Sequence, residues 1–321
     1  MPRLRISLLG GLKLGYGRGR TVDLAASCLP ILGYLLLQRR RQVPRQELAG
    51  TLWADVDDHS ARRCLSTALW RLKQTPGLRH DLVQSQSPTS LAFAWDVLGW
   101  LDIAAFESRV GPCLGVSPSD LDARAVHRLG LAMDIHQGDL LPEIQDQWVL
   151  VERQRFQTLY REGLYQLTRA HFAARRWSHV LLYGRRLSVL EPLREDVHRL
   201  LMCCYAEMGN RAKAIEQYRI CQEELSSELG VEPMAETQAL YRKILPRSAE
   251  AGAMAPPAPT GATLPLASER IRRARRAIRA SDLRLAETLD LIEHVDGQPA
   301  DAAPFQPRLP RPKKNSVRHA R

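Results

Sequence analysis

The sequence predicts a mainly α-helical protein with a small β component, organised as two folded units and a C-terminal extension. The chain is 321 residues long, which exceeds an ordinary single domain. Apolar and polar residues alternate in two short stretches, at 4–14 and 81–95, whereas apolar residues of 103–245 recur at helical spacing. With 45% hydrophobic and 25% charged residues, the chain can bury sizeable cores behind a charged surface.

The first 95 residues predict strands, three helices and a final hairpin, which is the order of a winged helix-turn-helix. Gly10 and Gly11 can form the turn of the first hairpin. The glycine-rich stretch at 15–19 lacks the lysine of a phosphate-binding loop, so we interpret it as a loop between strands. Pro44 fits the first turn of the second helix, and Ser60 fits the cap of the third. The expected elements are a hairpin at 4–14, helices at 29–38, 45–53 and 60–74, and two strands around a turn at 87–90, which would be the wing.

The third predicted helix separates an apolar stripe from a polar, basic face. At about 100° per residue, positions 61, 65, 68 and 72 place two alanines and two leucines on one side. A helix that enters the major groove needs one face for the core and one for DNA. On the DNA face, arginine reads guanine or binds phosphate, and short hydroxyl side chains permit close approach. An aromatic ring there contacts a thymine methyl group or a sugar. A solvated amphipathic helix shows the same pattern, and the order of the elements favours DNA binding. The candidate DNA-binding residues are Arg63, Ser66, Thr67 and Trp70 on the polar face, Arg62, Arg71 and Lys73 beside them, and Arg39, Arg40 and Arg41 at the end of the first helix as phosphate contacts.

Positive charge is concentrated in the same region. The chain carries 46 Lys and Arg against 35 Asp and Glu, a net charge of +11, with a pI near 9.7. Residues 1–95 hold 14 Lys and Arg and six Asp and Glu, which leaves +8 there. This balance favours a polyanionic partner, with double-stranded DNA ahead of anionic lipid. No apolar run approaches the roughly 20 residues needed to cross a bilayer, so we expect a cytoplasmic protein.

The residues indicate no catalytic, cofactor or metal site. The sequence has no Walker-type loop, no GxSxG, no HExxH and no nucleotide-binding glycine fingerprint. Six cysteines, at 28, 64, 113, 203, 204 and 221, form no CxxC pair and have no histidine at zinc-like spacing. We expect reduced thiols that pack as small apolar side chains, except for Cys64, which falls within the third helix. The chain is therefore not expected to be an enzyme.

A weak internal repeat of 34 residues, the period of tetratricopeptide repeats, lies within 103–245. The residues that superpose at this offset are Leu167 and Leu201, His171 and Tyr205, Val180 and Ala214, and Leu187 and Cys221. Tyr205, Ala214 and Tyr218 also fit the small and aromatic positions of that repeat, so we expect them in the core. Generic helical hairpins are the alternative, since a single degenerate pair of repeats is compatible with both. The fold predicted for this unit is an all-α, tetratricopeptide-like helical domain.

The composition changes again after the helical unit. Residues 248–267 are rich in Ala and Pro and predict a linker, 268–296 predict a basic helix with six arginines between 270 and 279, and 297–321 predict a disordered basic tail. The basic helix is either a solvated segment or an auxiliary clamp on DNA. The expected division is therefore a DNA-binding domain at 1–98 and a helical domain at 99–247, followed by these three segments.

Five segments carry a resemblance to a known family. L-R-I-S-L-L-G-G-L-K-L at 4–14, Y-L-L-L-Q-R-R-R-Q-V-P-R-Q-E-L-A-G-T-L-W at 34–53 and A-R-R-C-L-S-T-A-L-W-R-L-K at 61–73 resemble the DNA-binding domain of the Streptomyces antibiotic regulatory protein family. Q-W-V-L-V-E-R at 147–153 and E-L-G-V-E-P-M-A-E-T-Q-A-L-Y-R-K-I-L at 228–245 resemble its bacterial transcriptional activator domain.

The resemblance implies an OmpR-like winged helix that binds direct repeats, often as a side-by-side homodimer, and activates transcription through contact with RNA polymerase. The third helix departs from the family pattern at three positions. Arg63 and Cys64 stand where relatives often have Asn, and Trp70 is bulkier than the usual small polar residue. These departures bear on which DNA sequence is preferred, and not on DNA binding itself.

Three other classes of function compete with a sequence-specific DNA-binding activator. The first is a tetratricopeptide adaptor whose N-terminal domain binds protein. The second is an effector-responsive repressor with a pocket in the helical domain. The third is a peripheral membrane protein that uses the basic helix at 268–296, although that segment lacks the Trp and Phe anchors of interfacial helices. We expect no membrane partner.

Overall fold

The computed structural model describes residues 3–17, 20–39 and 41–245, so the interpretations made for 248–321 lie outside the described residues. The strands in these ranges are β1 (Leu4–Ser7), β2 (Lys13–Tyr16), β3 (Arg20–Val22), β4 (Val43–Pro44), β5 (Val83–Ser87), β6 (Ser90–Phe93) and β7 (Leu98–Leu101). The α-helices are α1 (Leu29–Leu37), α2 (Arg45–Leu52), α3 (Asp58–Gln74), α4 (Asp102–Val110), α5 (Ala123–Ile135), α6 (Gln147–Ala173), α7 (Trp177–Leu190), α8 (Glu195–Glu207), α9 (Arg211–Glu228) and α10 (Ala235–Ile244). The predicted fold class, mainly α with a small β component, is confirmed.

The N-terminal hairpin is part of a four-stranded sheet with the order β3-β2-β1-β7. β1 and β2 pair antiparallel, as predicted, and Gly10 and Gly11 take the turn at φ 82° and 108°. Glycine is needed at Gly10 for a second reason, because a Cβ there would lie 2.9 Å from the carbonyl oxygen of Gln137. The sequence did not reveal β7, which pairs parallel with β1 and spans the expected domain boundary at 98.

Helices α1, α2 and α3 follow the first sheet, and β5 and β6 form the predicted hairpin after them. A second sheet joins β4, β6 and β5 in that order, so the residues that precede α2 pair with the hairpin. Asp57, and not Ser60, caps α3: its Oδ1 accepts the backbone N–H groups of His59 and Ser60 at 3.0 Å each. The predicted cap was wrong because Asp57 also has a short acceptor side chain and stands one turn earlier.

The helical domain is built from antiparallel helical hairpins, with α6 packed on α7 and α8 packed on α9. The 34-residue repeat recurs in the backbone as well as in the side chains. Arg175 and Gly209, 34 residues apart, both have positive φ. Each is followed by a residue whose N–H closes the turn, from Arg176 to His171 O at 2.9 Å and from Asn210 to Tyr205 O at 2.8 Å. All eight side chains that superpose at this offset are buried, which confirms the tetratricopeptide-like packing.

Polar contacts join the first sheet to the helical domain. Asp102, the first residue of α4, is 1% exposed and accepts the N–H groups of Leu8 at 2.6 Å and Leu9 at 2.7 Å. Leu141 donates its N–H to the carbonyl of Leu8 at 2.9 Å, and a Cβ at Gly33 of α1 would lie 2.7 Å from the Leu141 side chain. The two parts therefore fold into one compact unit.

The cysteines are all free thiols. Cys28, Cys113, Cys204 and Cys221 are buried, and burial raises the pKa of Cys204 to about 11 and that of Cys221 to about 12. A thiol with such a pKa stays protonated at neutral pH and packs as an apolar group. Cys64, within α3, and Cys203, within α8, are half-buried.

Acid should destabilise the helical domain through His136. Its ring stacks on Tyr160 at 4.0 Å and lies 5.7 Å from Phe106, and burial lowers its pKa to about 4 from 6.5. The ring is therefore neutral in the folded state between these values, whereas the unfolded chain takes up a proton. Stability should be constant above pH 6.5 and fall as the pH drops from 6.5 to about 4, by roughly 1 to 2 kcal/mol at pH 5.

Urea denaturation of the His136→Phe variant at pH 7 and pH 5 tests this expectation. The variant should lose less stability between the two pH values than the wild-type chain. Part of the loss should persist, because burial also lowers the pKa of His171 to about 4. His127→Gln, on the exposed face of α5, is the matched control and should retain the full loss. Equal pH dependence in the wild type and His136→Phe would contradict the assignment.

Candidate nucleic-acid interface

The two faces of α3 are the ones that the sequence predicted. Ala61, Leu65, Ala68 and Leu72 are 2–3% exposed and belong to the core. The opposite surface carries seven exposed side chains. We call four of them the groove face, namely Arg63, Ser66, Thr67 and Trp70, and three the flanks, namely Arg62, Arg71 and Lys73. The structure therefore brings these seven predicted residues together on one surface.

The two hydroxyl groups of the groove face have their hydrogens engaged within α3. Ser66 donates its Oγ–H to the carbonyl of Arg62 at 2.9 Å, and Thr67 donates its Oγ1–H to the carbonyl of Arg63 at 3.0 Å. Each oxygen still has lone pairs that face solvent. Both side chains can therefore accept a hydrogen bond from the amino group of adenine or cytosine.

The arginines of α3 differ in how firmly they are held. The guanidinium of Arg63 makes no ion pair or hydrogen bond with any part of the chain that the structure describes. Arg62 faces Asp58 at 3.9 Å, a contact between two exposed side chains. Arg71 donates to Ser27 Oγ at 3.1 Å, which links α3 to the short 3-10 turn before α1. Arg63 is thus free to reach a base, while the flanking arginines have weak partners.

The hairpin of β5 and β6 is fixed to the start of α2. Arg45, the first residue of α2, donates Nη2–H to Ser85 Oγ at 2.9 Å and its backbone N–H to the carbonyl of Thr89 at 2.8 Å. On the other side, His80 Nδ1 and the carbonyl of Lys73 are 2.7 Å apart, so the chain after α3 is fixed to the end of the helix. Sequence reasoning missed Arg45, because its partner Ser85 lies 40 residues away in the chain. It missed His80 because a contact with a backbone carbonyl leaves no pattern in the sequence.

Two arginines of the basic run after α1 form ion pairs within the chain. Arg39 forms an ion pair with Glu107 of α4, whose carboxylate also binds Arg155 at 2.6 Å. Arg41 forms an ion pair with Glu47 of α2 at 2.9 Å. Arg40 lies outside the described residues. The structure therefore gives Arg39 and Arg41 carboxylate partners on α4 and α2.

Within residues 3–17, 20–39 and 41–245, no group of three or more His, Cys, Asp and Glu side chains is placed to hold a metal ion. None of the helices described there is both long enough and apolar enough to span a bilayer.

Comparisons with known proteins find a domain model and several regulators to which this chain is similar. Residues 101–245 match the bacterial transcriptional activator domain. The transcriptional regulatory protein MoaR1 of Mycobacterium tuberculosis is 26% identical over 249 residues, which cover 75% of this chain and 79% of the relative. The regulatory protein AfsR of Streptomyces coelicolor is 27% identical over 220 residues, which cover 67% of this chain and 21% of that longer protein.

One solved structure shares the fold. Mycobacterium tuberculosis EmbR, in complex with a low-affinity phosphopeptide, superposes with a TM-score of 0.61 at 21% identity, over 76% of this chain and 65% of that chain. The family match, the relatives and the arrangement of winged helix and helical domain agree with the resemblance in the sequence. The chain is therefore a transcriptional regulator that matches the bacterial transcriptional activator domain at residues 101–245 and is similar to regulators of the Streptomyces antibiotic regulatory protein family.

Proposed function

We propose that the chain recognises specific sequences in double-stranded DNA by placing α3 in the major groove and activates transcription from the sites it binds. The observation that supports this most directly is the division of α3 into a buried apolar face and an exposed polar, basic surface. The major groove is about 12 Å wide and admits an α-helix. The hairpin of β5 and β6, held to α2 by Arg45, would be the wing beside it.

The groove face and the flanks have different roles in this proposal. Arg63 and Thr67 read bases, while Arg62, Arg71 and Lys73 hold backbone phosphates. The run Arg39, Arg40 and Arg41 would add phosphate contacts. Two of these arginines would have to leave Glu107 and Glu47 to do so, and exposed ion pairs of this kind stabilise a fold by only about 0–1 kcal/mol.

The remaining parts of the proposal rest on the resemblance. The chain would bind direct repeats in promoters, as a side-by-side homodimer, and contact RNA polymerase. The match of residues 101–245 to the bacterial transcriptional activator domain supports the activating role. In vitro transcription from a bound promoter tests it, because an activator raises transcript yield and an effector-responsive repressor lowers it.

A gel shift against the DNA upstream of its own coding region, together with mapping of bound sites in the native host, tests DNA recognition. We expect full-length protein to bind a subset of sites that share a repeated sequence. A tetratricopeptide adaptor would leave the DNA unshifted, and equal binding to every duplex would contradict sequence-specific recognition.

Exchanging Arg63 and Arg71 for alanine should separate base reading from phosphate binding. Arg63→Ala should lose about 1 to 3 kcal/mol of discrimination at one base pair, because its free guanidinium lies on the groove face. Arg71→Ala should weaken binding to operator and random DNA alike and reduce the slope of affinity against salt. Fluorescence anisotropy over a range of salt concentrations measures both effects. Equal losses on operator and random DNA for Arg63→Ala would show that Arg63 does not read a base.

A further inference from the structure

Trp70 differs from the other tryptophans of this chain. Its side chain is 62% exposed, and it makes no ring contact or hydrogen bond with the described residues. The other five have neighbours: Trp53 packs against the core, Trp95 lies edge-on to Phe93, Trp100 lies beneath Arg5, Trp148 lies edge-on to Tyr34, and Trp177 lies edge-on to Phe172. A large apolar ring is therefore exposed on the surface assigned to DNA.

The position of Trp70 on α3 is central. It follows Thr67 by three residues and Arg63 by seven, so at about 100° per residue it lies within about 20° of Arg63 around the helix. Arg62 and Arg71 are each displaced by roughly 80 to 100° from Arg63. A helix that points Arg63 at the floor of the major groove therefore points Trp70 there too, while the flanks point towards the two backbones.

We propose that Trp70 reads a thymine by packing its ring against the 5-methyl group, an inference that rests on the proposed function. Among the base edges in the major groove, thymine alone carries a methyl group. It also presents the O4 acceptor, which suits an indole N–H that can only donate. Guanine offers acceptors without apolar surface, and cytosine presents an amino donor that an indole N–H cannot satisfy.

The geometry also places this thymine relative to the base pair that Arg63 reads. Seven residues of α-helix rise about 10 Å, which is about three base pairs at 3.4 Å each. Sites selected by the chain should therefore contain a guanine and, about three base pairs away, a thymine. Two other uses of an exposed ring predict no such thymine. Packing against a deoxyribose does not depend on the identity of the base, and binding a protein partner does not depend on the DNA sequence.

Deoxyuridine substitution tests the inference, since it removes only the methyl group. Binding sites are first selected from random duplexes with the full-length protein, and each thymine of the selected site is then replaced singly by deoxyuridine. Wild-type protein should lose about fourfold in affinity at one position, the value expected for a buried methyl group. Trp70→Ala should bind the thymine site more weakly and lose nothing further on deoxyuridine at that position.

The control variant is Val151→Ala, because Val151 on α6 is 63% exposed, close to the exposure of Trp70. It should keep the full deoxyuridine effect, and Trp70→Ala should keep the melting temperature of the wild type. If wild-type protein selects a sequence but tolerates deoxyuridine at every position, or if Trp70→Ala retains the methyl effect, the inference is wrong while the proposed function stands. If the protein selects no sequence at all, both fail.

Discussion

Replacing Ala214 by arginine should unfold the helical domain. Ala214 lies on α9 with no exposed surface and belongs to the same core cluster as Leu201 and Tyr205 of α8. An arginine there would have to force the two helices apart and would carry a charge into the core. Overpacking and burial of an unpaired charge are among the few single changes that destabilise by more than about 4 kcal/mol.

Urea denaturation followed by circular dichroism measures this effect, and the chain offers a close control. Ala212, two residues earlier on α9, is exposed, so Ala212→Arg introduces the same side chain into solvent. We expect Ala212→Arg to denature within about 0.5 kcal/mol of the wild type, and Ala214→Arg to be largely unfolded without urea. A wild-type melting temperature for Ala214→Arg would show that the repeat packs differently from the structure described above.

The features that sequence reasoning found are those with a local signature. The stripe at 61, 65, 68 and 72 repeats at the helical period, and burial of these four side chains follows from that period alone. The 34-residue offset was detectable for a related reason. Helical hairpins that stack on one another need side chains of the same kind at the same place in each repeat, and positions 180 and 214 both carry small apolar side chains that are buried.

The features that it missed depend on partners far along the chain. Strand β7 has only four residues, and its parallel pairing with β1 joins segments more than 90 residues apart. Nothing in the local pattern distinguishes Asp102 from any other acidic helix start, although its carboxylate bonds to Leu8 and Leu9. The same limit applies to Arg39, whose position after a helix suggested phosphate but whose partner in the structure is Glu107.

These long-range contacts bear on whether the predicted DNA-binding domain, residues 1–98, folds and binds DNA when it is expressed alone. From the sequence, residues 1–98 should bind DNA when expressed alone. That fragment ends at the first residue of β7 and lacks Asp102, so β1 would lose its parallel neighbour and the N–H groups of Leu8 and Leu9 would lose their acceptor. It would also expose the surface of α1 that Leu141 covers at Gly33. We therefore expect the fragment 1–98 to be far less stable than the same residues in the full chain.

The hydrogen bonds between the Asp102 carboxylate and the N–H groups of Leu8 and Leu9 join the first sheet to α4, and we call them the Asp102 contact. Its contribution to stability can be measured by replacing Asp102 with alanine. Its carboxylate accepts three backbone N–H groups, from Leu8 at 2.6 Å, Leu9 at 2.7 Å and Ile103 at 2.7 Å. Burial raises the pKa of the Asp102 carboxyl, and the three donors oppose that shift. In Asp102→Ala the N–H groups stay buried without an acceptor, at a cost of about 1–3 kcal/mol each, so we expect a loss of roughly 3 to 5 kcal/mol.

A matched control separates the stability that the Asp102 contact contributes from that of ordinary helix capping. Asp122 also caps a helix, accepting the N–H of Ala125 at 2.6 Å, but it is exposed, and among the described residues its carboxylate bonds only within its own helix start. Asp122→Ala should therefore cost about 1 kcal/mol. Asp102→Asn should be milder than Asp102→Ala, because the amide oxygen can still accept from the N–H groups of Leu8 and Leu9. Equal urea midpoints for the two alanine variants would show that Asp102 acts only as a cap.

Measuring DNA binding by the Asp102→Ala variant tests whether the Asp102 contact also stabilises the folded winged helix. The carboxylate ties the end of β1 to α4, and the sheet that contains β1 belongs to the same core as α3. Loss of the Asp102 contact should therefore lower the fraction of chains that can bind DNA. Chains that remain folded should bind with unchanged sequence preference. Titration against the selected site at increasing urea should show binding lost at a lower urea concentration than in the wild type. A variant that unfolds its helices early, yet binds DNA up to the wild-type urea midpoint, would mean that the two parts unfold independently.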